Sequence, residues 1–122
     1  SIITYGNTTH FCLHAAERLE KEGGWKVEVI DIRSLIPLDK EAIFESVKKT
    51  SKALVVHEDK VFSGFGAELA AMIGTDMFRY LDGPVQRVGS TFTPVGFNPI
   101  LEKEILPDEA KIYEAAKNLL EY

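Results

Sequence analysis

Short apolar segments alternate along this chain with longer segments whose apolar residues recur every three or four positions. The short segments are typical of β-strands and the longer ones of amphipathic helices. Strands are predicted at 2–5, 26–32, 53–57 and 85–88. The first two helices are predicted from a Thr8 or Thr9 cap to about Glu22 and from the N-cap Asp39 to Lys49. Three more are predicted from Ala67 to Ile73, with a break at Gly74 before Tyr80, from Ile100 to Ile105, and from the N-cap Asp108 onwards. Because strands that alternate with helices need crossover connections, the pattern predicts one α/β sandwich around a mostly parallel sheet.

The composition is that of an ordinary globular domain. The 122 residues are 45% hydrophobic and 27% charged, with a net charge of -5. No run of lysine and arginine is present, so a nucleic-acid partner is not expected. No apolar stretch approaches the roughly 20 residues that span a membrane, so a membrane partner is not expected either. The single cysteine, Cys12, excludes an intrachain disulfide, and its helical neighbours indicate a core residue.

The most informative polar group lies at the carboxyl end of the third predicted strand. There the apolar run that ends at Val56 gives way to His57, Glu58 and Asp59. A histidine at the carboxyl edge of a sheet, oriented by a carboxylate, can serve as a general base. No nucleophile and no second histidine in a comparable loop converges on it, so no catalytic residue is assigned to this chain. The competing interpretation is a strand terminus whose polar side chains cap nearby loops, and it is favoured.

A glycine-bearing loop, Ser63-Gly64-Phe65-Gly66, comes directly before a helix. Its backbone amides could bind an anion at the helix N-terminus. However, the dinucleotide-binding fingerprint needs a third glycine where Leu69 stands, and the lysine of a phosphate-binding loop is absent. Glycines that allow a tight loop and close packing of helix on sheet are therefore the favoured interpretation.

Three further groups have a structural interpretation by default. His10 and His14 are spaced to share a metal on one helix face, but no third ligand is apparent and no metal is expected. Asp31 and Arg33 flank the end of the second strand and are expected to pair locally. The loop 91–94, Thr-Phe-Thr-Pro, lies at the end of the fourth strand and faces either a ligand or another domain.

Four segments in register resemble one family, the C-terminal domain of the β subunit of 2-oxo acid dehydrogenase E1 components, which act on pyruvate or branched-chain 2-oxo acids. These segments are 29–39 (VIDIRSLIPLD), 55–59 (VVHED), 64–68 (GFGAE) and 81–88 (LDGPVQRV). The resemblance covers residues 1–122 and implies a transketolase C-terminal-like domain excised from a longer chain. It also implies a three-layer α/β/α sandwich with a five-stranded sheet, one strand antiparallel. The additional strand is expected near Ile2 to Tyr5 or near Phe92 to Val95.

The resemblance further implies which functions lie elsewhere. Thiamine diphosphate and Mg bind such enzymes through preceding domains, which are absent here, so this chain is expected to hold no cofactor and to be inactive alone. Its implied roles are subunit packing and docking of the E2 acyltransferase. Asp82 matches an acidic docking residue of the family, and Tyr122 matches the terminal carboxylate if the chain ends there naturally. His57 and Glu58 are assigned to the edge of a neighbouring cleft, whereas Thr91-Phe92 replaces an acidic position of the family.

The expected partners are the E1 α part, a second β part and the peripheral-subunit-binding domain of E2. The expected location is the bacterial cytoplasm or the mitochondrial matrix, and secretion is not expected because no signal sequence is visible. Two alternatives stay open. One is the same domain of a transketolase or a deoxyxylulose-phosphate synthase. The other is a stand-alone sensor that binds an anion or nucleotide at the glycine loop.

Overall fold

A computed structural model describes residues 1–122. It contains four strands and five α-helices, together with one turn of 3-10 helix at Phe78–Tyr80. The strands are β1 (Ile2–Thr4), β2 (Val29–Asp31), β3 (Leu54–Lys60) and β4 (Gln86–Ser90). The helices are α1 (Thr8–Gly23), α2 (Lys40–Thr50), α3 (Phe65–Asp76), α4 (Pro99–Ile105) and α5 (Glu109–Leu120). No helix is both long enough and apolar enough to cross a membrane.

The sheet has the order β2-β1-β3-β4, and all of its strand pairs are parallel. In the register, Ile3 lies between Ile30 of β2 and Val55 of β3. β2 therefore pairs with one edge of β1, and β3, the next strand along the chain, pairs with the other edge. This reversal of strand order lies between β1 and β3, which is where open α/β sheets form a crevice at their carboxyl edge.

Each face of the sheet is covered by a separate apolar core. On one face, α1 and α5 pack together over the sheet, and the buried residues include Ile2, Cys12, Ala15, Leu19, Leu54, Val56, Ile112, Tyr113, Ala116 and Leu119. On the other face, α2 and α3 contribute to a second buried set, namely Ile3, Ile43, Val47, Ala53, Val55, Leu69, Ile73 and Met77. The predicted α/β/α sandwich is thereby confirmed, and adjacent residues of β3 face opposite cores.

Helix boundaries follow local chemistry. The side chain of Asp39 accepts a hydrogen bond from the Ala42 backbone N–H at 3.0 Å, and Asp108 accepts one from Lys111 N–H at 2.9 Å. Both predicted N-caps are confirmed, since each carboxylate satisfies a backbone donor of the first turn. At α1 the predicted threonine cap is wrong, because the helix already begins at Thr8.

Several predicted boundaries are also wrong. The sheet has four parallel strands rather than five with one antiparallel, because 91–98 forms turns around Pro94 instead of pairing with β4. Proline cannot donate to a strand ladder. Helix α3 starts at Phe65 and continues through Gly74, because Ile73 and its apolar neighbours hold that helix on the core. Strand β2 spans only 29–31.

Candidate functional site

His57 lies in the middle of a strand rather than at its carboxyl end. Strand β3 continues to Lys60, which is in register with Ser90 of β4, and the Ser90 hydroxyl donates to the carbonyl oxygen of Glu58. His57 is consequently 0% exposed, whereas Glu58 and Asp59 are exposed. The expectation that the strand ends at His57 is corrected, because pairing with β4 extends the strand to Lys60.

The His57 ring is enclosed at the reversal of strand order. Tyr5, which directly follows β1, lies parallel to it with ring centroids 6.2 Å apart and an interplanar angle of 6°. Phe65, the first residue of α3, packs edge-on against Tyr5 at 6.1 Å. The crevice between β1 and β3 is therefore filled by aromatic side chains.

Three glycines allow backbone to approach the imidazole closely. A Cβ on Gly66 would overlap Nε2 and Cδ2 of His57, and a Cβ on Gly64 would lie 2.9 Å from Cε1. A Cβ on Gly89, in β4, would lie 2.7 Å from the carbonyl oxygen of Asp59 and 3.2 Å from Cε1 of His57. The favoured interpretation of the glycine loop is thus confirmed, because its glycines serve close packing of helix on sheet.

The electrostatic environment does not match that of an oriented general base. Neither ring nitrogen of His57 has a hydrogen-bond partner. Burial lowers the pKa of His57, Asp59 opposes that shift, and Arg87 adds to it. No carboxylate accepts a hydrogen bond from the imidazole, and the lowered pKa favours its uncharged form, so the ring contributes here through packing.

A second region lies beside α3, where a groove of about 930 Å³ contains both residues assigned to docking. Asp82 and Tyr122 line this groove, and Gly83 lies close enough to Tyr122 that a Cβ there would be 3.2 Å from Cδ1 of the ring. Its floor is formed by small residues of α3, namely Ala67, Ala70, Ala71 and Gly74. The groove thus contains the Asp82 carboxylate and two exposed aromatic rings. Phe78 is 77% exposed and Tyr122 is 76% exposed.

The charged residues of the groove are free of intramolecular ion pairs. The five salt bridges of the chain include neither Asp82 nor Arg79, which also lines the groove. Lys52 lies 5.8 Å from the centre of the Tyr122 ring and donates to the carbonyl oxygen of Leu119. The carboxylate of Asp82 is therefore available to a positively charged group on a partner.

The remaining candidates do not converge on a site. His10 and His14 are exposed, and no group of three histidine, cysteine, aspartate or glutamate residues could hold a metal. Arg33 Nε donates to Asp31 Oδ2 at 3.0 Å, so the predicted local pair is confirmed. Cys12 is buried, as predicted, and burial raises the pKa of its thiol to about 12.

Sequence reasoning missed several residues that pack around His57 or form an exposed aromatic pair. Tyr5 stacks on His57 because Thr4 is in register with Val56, so the next residue of each segment lies at the same level, and that neighbourhood could have been inferred once the strand pairing was known. Gly89 carried a weaker signal, an isolated glycine in a strand, which often marks a close approach of backbone. Phe62 and Phe92 come from separate loops and pack edge-on with centroids 4.9 Å apart, which no local pattern indicates.

Comparison with known proteins identifies the fold family. Residues 1–112 match the family described as transketolase, C-terminal domain. The chain is 40% identical, over its whole length, to 37% of the 2-oxoisovalerate dehydrogenase subunit beta of Bacillus subtilis. It is 41% identical, over 98% of its length, to 33% of the mitochondrial pyruvate dehydrogenase E1 component subunit beta of Saccharomyces cerevisiae.

A solved structure supports the same assignment. It is described as a split gene transketolase, inactive beta4 tetramer, and it aligns with a TM-score of 0.83 and 27% identity. The alignment covers 98% of this chain and 38% of that one. The chain thus spans little more than a third of the relatives it matches. The chain belongs to the transketolase C-terminal domain family, and its sequence is similar throughout to the β subunits of 2-oxo acid dehydrogenases.

Proposed function

We propose that this chain is the C-terminal domain of the β subunit of a thiamine-diphosphate-dependent 2-oxo acid dehydrogenase E1. That enzyme oxidatively decarboxylates a 2-oxo acid and transfers the acyl group to the lipoyl group of E2. The supporting observation is identity of 40–41% to two such β subunits across nearly the whole chain, of which the chain spans only 33–37%. In this proposal the domain contributes subunit packing and E2 docking, and the chemistry belongs to the rest of the enzyme.

The cofactor is assigned to the rest of the enzyme on the basis of the donor set. Magnesium prefers carboxylate and other oxygen ligands, and the chain offers no cluster of three carboxylate, histidine or cysteine side chains. The crevice at the carboxyl edge is filled by Tyr5, His57 and Phe65. These observations support placing thiamine diphosphate and its metal in the rest of the enzyme, and no step of the reaction is assigned to this chain.

Docking of E2 is assigned to the groove beside α3. Asp82 has no ion pair within the chain and lies beside Tyr122 in the same groove. A basic E2 domain would place its positive charge against the Asp82 carboxylate and an apolar side chain against the exposed aromatic rings. Charge pairs of this kind accelerate association and fix orientation more than they add affinity.

Charge reversal at Asp82 tests the docking assignment. In the full enzyme, Asp82→Lys should weaken binding of the E2 peripheral-subunit-binding domain at low salt by about 1.4-fold to fivefold, the range of an exposed ion pair. Surface plasmon resonance at two salt concentrations would measure it. Glu17→Lys, an exposed charge reversal on α1 across the sheet, is the matched control. Unchanged affinity for Asp82→Lys, or an equal loss for Glu17→Lys, would count against the assignment.

The enzyme class is tested separately. The split gene transketolase neighbour favours a ketol-transferring enzyme as the second candidate, at lower identity than the dehydrogenase β subunits. The reconstituted enzyme should reduce an artificial electron acceptor with pyruvate or a branched-chain 2-oxo acid, and it should not transfer ketol groups between sugars. The opposite pattern would replace the proposal with the transketolase alternative.

The location follows from the same relatives. A yeast mitochondrial protein and a bacterial protein are both similar to this chain. We therefore assign it to the mitochondrial matrix in a eukaryote and to the cytoplasm in a bacterium, together with an E1 α part and a second β part as its assembly partners. Co-purification of tagged β chain with E1 α would test this assembly.

A further inference from the structure

One continuous stretch of the surface lacks charge altogether. From Val88 to Leu101 no residue is charged, although 27% of the chain consists of charged residues. This stretch comprises most of β4, the turns of 91–98 and the first residues of α4. We refer to the residues 91–101 as the uncharged lobe. It lies at the carboxyl edge of the sheet, where β4 ends.

The lobe exposes its large apolar side chains to solvent. Phe97 is fully exposed, and helix α4 has no buried residue. The other exposed apolar side chains of the lobe are Phe92 (68%), Val95 (50%), Ile100 (73%) and Leu101 (54%). Phe62, from the loop before α3, is 65% exposed and extends the surface through its edge-on contact with Phe92. Contiguous apolar surface of this kind marks a binding interface in soluble proteins.

The lobe is held in place by defined hydrogen bonds. Thr91 N–H donates to the carbonyl oxygen of Ile105 at 3.1 Å, and Asn98 accepts from Ile100 N–H at 2.9 Å. Lys111 of α5 donates to three carbonyl oxygens at the end of α4, those of Lys103, Glu104 and Leu106. The bonds of Thr91 and Asn98 thus fix the start of the lobe and the first turn of α4, and those of Lys111 fix the end of α4 just outside the lobe. Order of this kind before binding lowers the entropic cost of an interface.

We infer that the uncharged lobe packs against the part of the same β chain that its relatives carry beyond this span. The inference rests on the proposed function. Depletion of charge together with enrichment of aromatic residues characterises the core of a protein interface. The similar β subunits are about three times the length of this chain, since the chain spans 33–37% of them. About two thirds of such a β chain therefore lies outside this span.

Other occupants fit less well. A basic E2 domain would find no carboxylate within the lobe to pair with its charge. Two grooves of the domain are lined by residues outside the lobe, so insertion of Phe97 into a groove of a second copy would join unlike patches. Such a contact between unlike patches does not close into a dimer and tends to propagate.

Hydrogen exchange distinguishes these occupants. Amides of 92–101 should exchange at least about tenfold more slowly in the full-length β chain than in the 122-residue chain, as expected when a local opening is suppressed. Phe97→Ser should abolish much of that difference and lower the thermal midpoint of the full-length chain. Phe97→Ser should leave the midpoint of the 122-residue chain unchanged, because its ring contacts solvent there. Phe78→Ser, at another exposed phenylalanine outside the lobe, is the control and should not change exchange of 92–101.

Each contrary result overturns the inference. Equal exchange in both chains would show that the lobe is uncovered. Protection that depends on the concentration of the 122-residue chain would assign the lobe to a second copy, and protection that appears only when E2 is added would assign it to E2. Failure of the proposed function is seen separately, either as a natural β chain whose intact mass corresponds to this span alone or as a full-length enzyme without 2-oxo acid oxidation.

Discussion

Gly66 offers a sharp test of the packing around His57. A methyl group at this position would overlap two atoms of the imidazole ring and lie 3.2 Å from a third. The ring is 0% exposed and is also approached by Gly64 and Gly89, so it has little room to move away. Gly66→Ala should therefore destabilise the domain even though alanine is the better helix former.

The magnitude follows from two opposing effects. Overpacking of a well-packed core costs about 1–3 kcal/mol and occasionally more. Replacing glycine by alanine within a helix contributes up to about 1 kcal/mol of stability. Gly74 lies in the same helix, and a Cβ there would meet nothing within 4 Å. Gly74→Ala should therefore stabilise the domain by about 0.5–1 kcal/mol, whereas Gly66→Ala should show a net loss of about 1–2 kcal/mol.

Urea unfolding followed by circular dichroism would measure both variants. For a domain of this size, a net loss of 1–2 kcal/mol corresponds to a fall in thermal midpoint of roughly 4–8 °C. In a His57→Ala background the cost of Gly66→Ala should shrink, because the ring that it contacts is gone. A Gly66→Ala variant as stable as Gly74→Ala would refute the close packing described for His57.

Three other properties can be tested in the same domain. Burial holds the pKa of His57 below 6.5 in the folded state, so stability should be complete above that pH and fall as the pH drops towards the folded value; a His57→Gln variant with an identical pH dependence of unfolding free energy would contradict this. Asp108→Ala should cost about 1 kcal/mol by loss of the cap to Lys111, whereas Asp108→Asn should cost little, and equal losses would argue against capping. Cys12, whose pKa is raised to about 12, should react with a chromogenic disulfide only on unfolding, and reaction in the native state would contradict its burial.

Helix N-caps and buried helix faces could be predicted because they depend on residues that are close together in the sequence. Asp39 and Asp108 were recognised as N-caps because a capping carboxylate and its backbone donor lie three residues apart. The apolar stripe that contains Ile112 and Leu119 likewise indicated the buried face of α5. Interactions between distant segments were less accessible. The extension of β3 beyond His57 depends on pairing with β4, and this pairing determines whether the imidazole is exposed or enclosed.

In the candidate sites, too, individual residues could be selected from the sequence, whereas their positions relative to one another required the fold. Asp82 and Tyr122 were selected by resemblance to a family, and only the fold shows that they share a groove. The uncharged span from Val88 to Leu101 was visible in the sequence, but its significance depended on knowing that Phe97 and its neighbours are exposed. An apolar loop is equally compatible with burial in the domain's own core, and sequence periodicity does not distinguish these outcomes in a segment without regular structure.

The position of β1 has a kinetic consequence. This strand is only three residues long, yet it lies between β2 and β3, and Ile2 is in register with both Val29 and Leu54. Within this domain β1 is synthesised before β2 and β3, its two strand partners. Formation of the sheet therefore requires closure of long loops, which slows folding. Until Leu54 has been synthesised, the apolar residues of β1 remain exposed to chaperones and to aggregation.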